Sequence, residues 1–341
     1  MATLSTGALT LNEWAKRIDP NGKIDKTVEL LSQTNEILTD MLWMEGNLPT
    51  GHRVTQRTGL PTVYWRMMNQ GIPTSKSTTA QIDEGVGSLE AWSEVDKAIA
   101  ELNGNVNETR LSEAMSFLEA MNQESASTLF YGSNANPEEY VGLSTRYSDL
   151  GAANGENILD AGGTSTDNSS IWLVGWGGNE VFGVFPKGSK AGITHENLGL
   201  VTVETTAGVA GNRMRAYQDH WEWKQGLVLK DWRFAARVAN VDVSDLVGQT
   251  GTQALTAATS ITKMMSRAID RLPRLVGVKP SFYANRTILS HLRVIAQEKS
   301  SSAVTIQEAT NQFGQTIYET RFLGIPVRLV DSLTEAEARV V

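Results

Sequence analysis

The chain contains no cysteine, which excludes disulfides, thiolate metal sites and a cysteine nucleophile and fits a protein made and assembled in a reducing cytosol. Histidine is scarce. The four present, His52, His195, His220 and His291, show neither His-x-x-x-His nor His-x-x-Glu-His spacing, so no local segment carries a zinc site. Gly-x-Ser-x-Gly and the phosphate-cradling Gly-x-x-x-x-Gly-Lys-Ser/Thr are missing too, and Gly175, Gly177 and Gly178 lack dinucleotide-loop spacing. No window approaches the roughly 18 apolar residues of a membrane span, and Met1 to Leu11 has no basic leader before an apolar core. A soluble, unexported chain with no membrane partner is expected. The formal charge of -8 argues against a protein whose main task is to grip nucleic acid through clustered Lys and Arg. These absences leave no catalytic residue, no cofactor and no metal to assign.

Two fragments keep an enzyme reading open. His220 lies beside Asp219 and Trp221, but a strand histidine among aromatics is more often a packing or surface residue. Ser260-Ile-Thr-Lys263 matches Ser-x-x-Lys without its companion motifs, and the charge pattern of its helix accounts for Lys263. A soluble hydrolase using His220 or Ser260 is the competing reading from a different functional class. The pairs Asp83, Glu84 and Glu335, Glu337 read as solvated faces, not acid/base pairs.

At 341 residues the chain has length for one elaborate domain or two ordinary ones. Residues 1 to 24 are polar and read as an extended arm. From Lys26 to Met44 apolar residues recur at three and four, which predicts a helix lying against a surface. Asn105 to Tyr131 is the strongest helix: Leu111, Ala114, Met115, Leu118, Met121 and Leu129 form one stripe, Asn105 with Glu108 resembles a capping box, and Gly132 ends it. Residues 132–170 read as surface loop. Ile171–Trp176 and Glu180–Phe185 flank Gly177-Gly178-Asn179 as two strands joined by a tight turn. Strands are also predicted over Met214–Lys224, Gly226–Val243 and Ser281–Ala284, with a closing pair in Thr316–Val330 around Gly324-Ile325-Pro326. Further helices are predicted over Ala254–Leu272, stopped by Pro273, and Arg286–Gln297, capped by Asn285. Strands come in groups, so the fold class is α+β.

Between Gly46 and Gly104 the chain runs for nearly sixty residues as strand and turn, with too little apolar surface to fold alone. From Gly51 to Ile82 it has no acid and carries Arg53, Arg57, Arg66 and Lys76; Asp83, Glu84, Glu90, Glu94, Asp96 and Glu101 follow, with Lys97 the only base. A segment basic outward and acidic on its return suits docking on copies of the same chain.

Four passages resemble the major capsid proteins of short-tailed and related tailed bacteriophages: Leu11-Asn-Glu-Trp-Ala-Lys-Arg17 with Asp19-Pro20; Ile171-Trp-Leu-Val-Gly-Trp-Gly177 through Phe185-Pro-Lys-Gly188 and Ala191-Gly192; Trp223-Lys-Gln-Gly-Leu227 through Asp231-Trp-Arg233, Arg237 and Asn240-Val-Asp242; and Phe322-Leu-Gly-Ile-Pro-Val327 with Asp331. The resemblance covers nearly the whole chain. It implies the tailed-phage capsid fold: an N-terminal arm and helix over 1–45, an extended β-hairpin loop over 46–92, a peripheral domain with a spine helix over 93–150, a mainly axial domain over 151–312, and a return strand of the peripheral domain over 313–341. It also implies self-assembly into hexamers and pentamers of an icosahedral shell around double-stranded DNA held without sequence-specific contacts. A separate scaffolding protein, a portal and a cement protein are the implied partners, the virion capsid the location, and the bacterial host cytoplasm the place of assembly. Inter-subunit contacts are expected at Arg53, Arg57, Trp65, Arg66, Lys76, Asp83, Glu84, Glu108 and Glu113. An encapsulin-type compartment, sharing the fold but enclosing enzyme cargo, is the nearest alternative.

Overall fold

The computed structural model describes residues 32–102, 105–204, 213–247, 252–297, 304–310 and 316–341. The strands are β1 (Trp43–Glu45), β2 (Gly51–Gly59), β3 (Thr78–Gly85), β4 (Gly87–Asp96), β5 (Ile158–Asp160), β6 (Asn168–Trp176), β7 (Val181–Phe185), β8 (Thr194–Glu204), β9 (Arg213–Leu229), β10 (Ala235–Asp242), β11 (Lys279–Ala284), β12 (Val304–Thr310), β13 (Thr316–Phe322) and β14 (Ile325–Leu329); the three long helices are α1 (Val106–Tyr131), α2 (Thr252–Arg271) and α3 (Arg286–Gln297). The described residues form two compact units, one from those within Met1–Gln33, Ser88–Ser125 and Gly192–Lys224, the other from those within Thr34–Gly87, Ala126–Ala191 and Gln225–Val341.

The larger, second unit is organised by β6, which is buried along its whole length. β10 pairs with it antiparallel on one side and β11 antiparallel on the other, and β14 extends the sheet parallel to β11. Successive side chains of a strand point to opposite faces. Ile171 and Leu173 of β6 therefore join Ala236, Val238, Phe282 and Ala284 beneath α2 and α3. Trp172, Val174 and Trp176 face the other core with Leu129, Phe130, Leu143 and Tyr147. A strand buried on both faces reads as a continuous apolar run, which is what Ile171 to Trp176 is.

The first unit sets the start of α1 against a sheet in which β8 and β9 form a long antiparallel ladder from Thr194↔Glu222 to Glu204↔Arg213 and β4 also pairs with β9. Asn105 caps α1: Glu108 N donates to its Oδ1 at 3.3 Å and its Nδ2 donates to Glu108 Oε2 at 2.7 Å. At the other end Gly132 N reaches Thr128 O, and a Cβ at Gly132 would stand 2.2 Å from Tyr140 O.

Several expectations need correction. The N-terminal arm and residues 26–31 lie outside the described residues. Within 32–44 the helix is limited to Ile37–Asp40, because the chain extends from Met41 and joins the sheet as β1, parallel to β7; Ile37 and Met41 enter the core instead of resting on a surface. β6 and β7 are strands but not a hairpin, since their one paired position, Trp176↔Val181, is parallel. The Gly177–Glu180 turn folds around the Glu180 carboxylate, which accepts from Asn179 N and from Arg274, and β7 leaves to pair antiparallel with β9. The break expected at Gln225 falls instead after Leu229, because Gly226 is a site of close backbone approach: a Cβ there would meet Gly85 O at 2.6 Å. The turn between β13 and β14 has positive φ at Leu323 and Gly324, as a two-residue turn of the primed type requires. The strands β8 and β12 carried no sequence expectation. Lys97–Glu101, inside the run expected as strand and turn, is a short helix capped by Asp96, whose side chain accepts from Ala98 N at 2.7 Å. Leu143 and Tyr147, inside the expected surface loop 132–170, are buried in the core.

Candidate assembly surface

The long excursion is a hairpin with a fixed base and an open tip. β2 and β3 pair antiparallel from Gly51↔Gly85 to Gly59↔Thr78. At the base, Val54 is 2% exposed and packs with Phe182, Val184 and Val228. Glu84 is buried beside it, taking both guanidinium nitrogens of Arg146 at 2.7 and 2.6 Å. The acidic return is thus partly turned inward. Glu84 is not a solvated face, because its charge is met inside the chain, and the same holds for Glu337, which pairs with Arg237 while both side chains are under 5% exposed. Arg53 and Asp83 pair across the two strands at 2.6 Å in the open, which holds the Asp83 carboxyl below its usual range chiefly through the hydrogen bond from Arg53.

Beyond Gly59 regular pairing ends. Residues 60–77 contain no strand, and Ser75 Oγ donating to Thr62 O at 2.7 Å helps close the neck. Leu60, Val63, Tyr64, Trp65, Met67, Met68 and Ile72 all stand exposed, Trp65 fully so at 103%. Arg57, Arg66 and Lys76 are exposed with them. Removing one such apolar side chain from water is worth about 1.5–3 kcal/mol, and the subunit forgoes that at each position. The charged half of this surface was legible from sequence. Its apolar half was visible as Leu60-Pro-Thr-Val-Tyr-Trp-Arg-Met-Met, a run whose lack of helical or strand period concealed it.

The second open surface is on α1. Its inner side is held within the first unit: Arg110 donates from Nε and Nη2 to Asp219 at 3.0 and 2.6 Å and from Nη2 to Asn197 at 2.7 Å, while Phe117 stacks on Trp221 with ring centres 5.5 Å apart. His195 adds a contact to Asp219 at 2.9 Å. Burial pushes the Asp219 carboxyl up, but hydrogen bonds from Arg110 and His195 outweigh it and hold it below the ordinary carboxylate value. Leu111 and Met115, from the expected apolar stripe, remain 63% and 60% exposed, while Met121 and Leu129 are buried. Glu108 and Glu113 lie on this helix, Glu108 exposed and engaged with Asn105.

The fragments that kept an enzyme open gain no support. His220 Nε2 faces Glu90 at 3.3 Å and its ring stacks on Trp92 at 4.1 Å, with no nucleophile among its described partners. The Ser260 side chain lies outside the described residues, and Lys263 is exposed. Among the described residues no group of His, Asp and Glu is arranged to hold a metal ion, and no helix is long and apolar enough to cross a membrane.

A family model described as Major capsid protein GP7 matches residues 19–341. Of solved structures, a chain from the cryo-EM structure of bacteriophage epsilon15 is similar over 100% of this chain and 99% of that one, at 28% identity and a TM-score of 0.77. A chain of the bacteriophage JBD30 capsid matches over 92% of this chain and 99% of its own at 10% identity and a TM-score of 0.43; a chain of the SrpI encapsulin complex from Synechococcus elongatus matches over 68% and 96% at 12% and 0.43, and neither bears on function at those values. No curated protein matches the chain. The epsilon15 likeness gives the tailed-phage capsid fold, and the family match decides for a phage shell over an encapsulin-type compartment. With nearly its whole length matched, the chain belongs to the phage major capsid protein family described as GP7.

Proposed function

We propose that this major capsid protein closes its shell by laying the hairpin tip of one copy over the exposed stripe of α1 on the next. The observation that carries this reading is the paired exposure on one chain: an apolar, basic tip (Leu60 to Ile72 with Arg57, Arg66 and Lys76) and an apolar stripe, Leu111 and Met115, on a helix that also carries Glu108 and Glu113. The tip is basic and the helix carries these acids, so the two surfaces are opposite in charge. Arg57, Trp65, Arg66 and Lys76 are the contacts on the tip, with Glu108 and Glu113 opposite. Arg53, Asp83 and Glu84, whose charges are met within the hairpin and by Arg146, act by holding the tip in place.

Hexamers and pentamers repeat this contact around an icosahedral shell, and each can be weak because the shell multiplies it. In this reading residues 1–45 are the arm and its helix, 46–92 the extended loop, 93–150 the peripheral domain with α1 as spine, 151–312 mainly the axial domain, and 313–341 the return strand. The shell encloses double-stranded DNA without reading its sequence, assembles in the bacterial host cytoplasm around a separate scaffolding protein, and joins a portal and a cement protein. The protein has no catalytic task.

The test is Trp65→Ala combined with Arg66→Ala, examined by circular dichroism of the subunit and electron microscopy of assembly reactions. Native-like spectra with few or no shells are expected. An unfolded subunit, or shells at the unmodified yield, overturns the assignment.

A further inference from the structure

The helix layer of the second unit carries charge opposite to the chain as a whole. α2 and α3 cover one sheet face, burying Ile261, Met265 and Ala268 from one and Ile288, Leu289, Leu292 and Ile295 from the other. The two helices together bring Lys263, Arg267, Arg271, Arg286 and Arg293 against a single acid, Asp270, in a chain whose net charge is -8. Lys263, Arg267 and Arg271 stand at i, i+4 and i+8, one row on the outer side of α2, all exposed. Successive members are about 6 Å apart along the axis.

Several other guanidinium groups are used inside the chain. Arg110 is bound to Asp219, Arg146 to Glu84, Arg237 to Glu337, Arg274 to Glu180 and Arg286 to Asp331. Lys263 and Arg271 make no ion pair among the described residues, and the contact recorded for Arg267 is the Met264 sulfur at 3.9 Å. A row of three exposed cations that makes no ion pair among the described residues is available to an external polyanion.

We infer that the outer side of α2 is a docking strip for the phosphate backbone of duplex DNA. Cations at regular steps along a rigid rod suit a linear array of phosphates, and guanidinium groups suit phosphate oxygens. With no groove-reading element needed, the contact is sequence-independent. A second copy of this chain, whose exposed acids include Glu90, Glu108 and Glu196, is the competing occupant, and the shell-forming arm of the test separates it from DNA. The choice of DNA rests on the enclosing-shell reading; the unpaired row does not. On this view an otherwise acidic shell repels DNA broadly and holds it weakly at one strip per copy.

The test uses the full chain, unassembled, titrated into a short fluorescent duplex across a salt series, beside the triple variant Lys263→Gln, Arg267→Gln, Arg271→Gln. Three phosphate contacts add about 2.7 to the slope of log affinity against log salt. The variant is expected to lose that slope and at least about tenfold in affinity at low salt, equally for unrelated sequences, while still forming shells. No binding by the unmodified chain, or equal affinity and slope in the variant, overturns the proposal. A variant that binds DNA normally but no longer forms shells overturns it in favour of a second copy, and shell formation by the variant keeps the two readings separable.

Discussion

Residues 331–341 and residues 60–77 both lack continuous regular structure, yet the chain treats them oppositely. The tail is sewn down at each step: Asp331 accepts from Arg286 at 2.7 Å, Glu337 N donates to Asn168 O at 2.9 Å, and Val340 exchanges two hydrogen bonds with Asn240 at 2.8 and 2.9 Å. Leu333 and Val340 are buried with it. The tip instead offers its apolar side chains to water. Irregular backbone is therefore no guide to its role; whether its polar groups are met and its apolar groups covered within the subunit is what separates a structural strap from a surface left open.

The largest effect that sharpens this contrast is at Glu337. Its carboxylate receives Arg237 Nη2 at 2.8 Å, the Tyr131 hydroxyl at 2.6 Å and the Ser170 hydroxyl. Glu337→Ala leaves the Arg237 guanidinium buried with its charge uncompensated, and a loss of about 3–5 kcal/mol is expected in urea unfolding of the subunit. Arg237→Met with Glu337→Leu removes both charges and should recover most of that loss. A single substitution that costs less than about 1 kcal/mol would mean the tail is as expendable to the subunit fold as the tip.

A smaller effect is expected at the base of the hairpin. Arg146→Ala removes the partner of buried Glu84 and should cost about 1.5–3 kcal/mol in the same assay. It should also lower shell yield, since the base aims the tip. Full stability with reduced yield would move the hairpin base from the closed part of the molecule to the open part.

Sequence reading captured what depends on local pattern. α1 begins at Asn105 and ends at Gly132 because cap chemistry is local, and α3 begins at Asn285 for the same reason, Ile288 N donating to its side chain at 2.9 Å. It failed where partners distant in sequence decide. Trp43–Glu45 is a strand because β7 offers it an edge, Gly226 passes straight through β9 because another backbone packs against it, and Glu84 and Glu337 are buried because Arg146 and Arg237 wait for them. At the candidate surface the charges of the loop were legible, since charge needs no partner to be seen. Leu111 and Met115 looked like core: periodicity identifies an apolar helix face and is silent on whether the subunit itself covers it.

The smallest expected effect lies on the exposed side of the hairpin base. Arg53 and Asp83 face each other across β2 and β3 with both side chains about half exposed, so water competes for each and the pair adds little to the fold. Arg53→Ala should leave the unfolding midpoint of the subunit where it is. Its consequence, if the pair matters, belongs to assembly: without it the strands leading to the tip are freer to splay, and shells should form more slowly at unchanged final yield, read by light scattering over time. A lowered midpoint would show that this exposed pair belongs with the tail among the parts the subunit closes for itself. An unchanged rate would place the stiffness of the loop in the β2–β3 backbone ladder alone, leaving Glu84 with Arg146 as the one ion pair of the hairpin that assembly can feel.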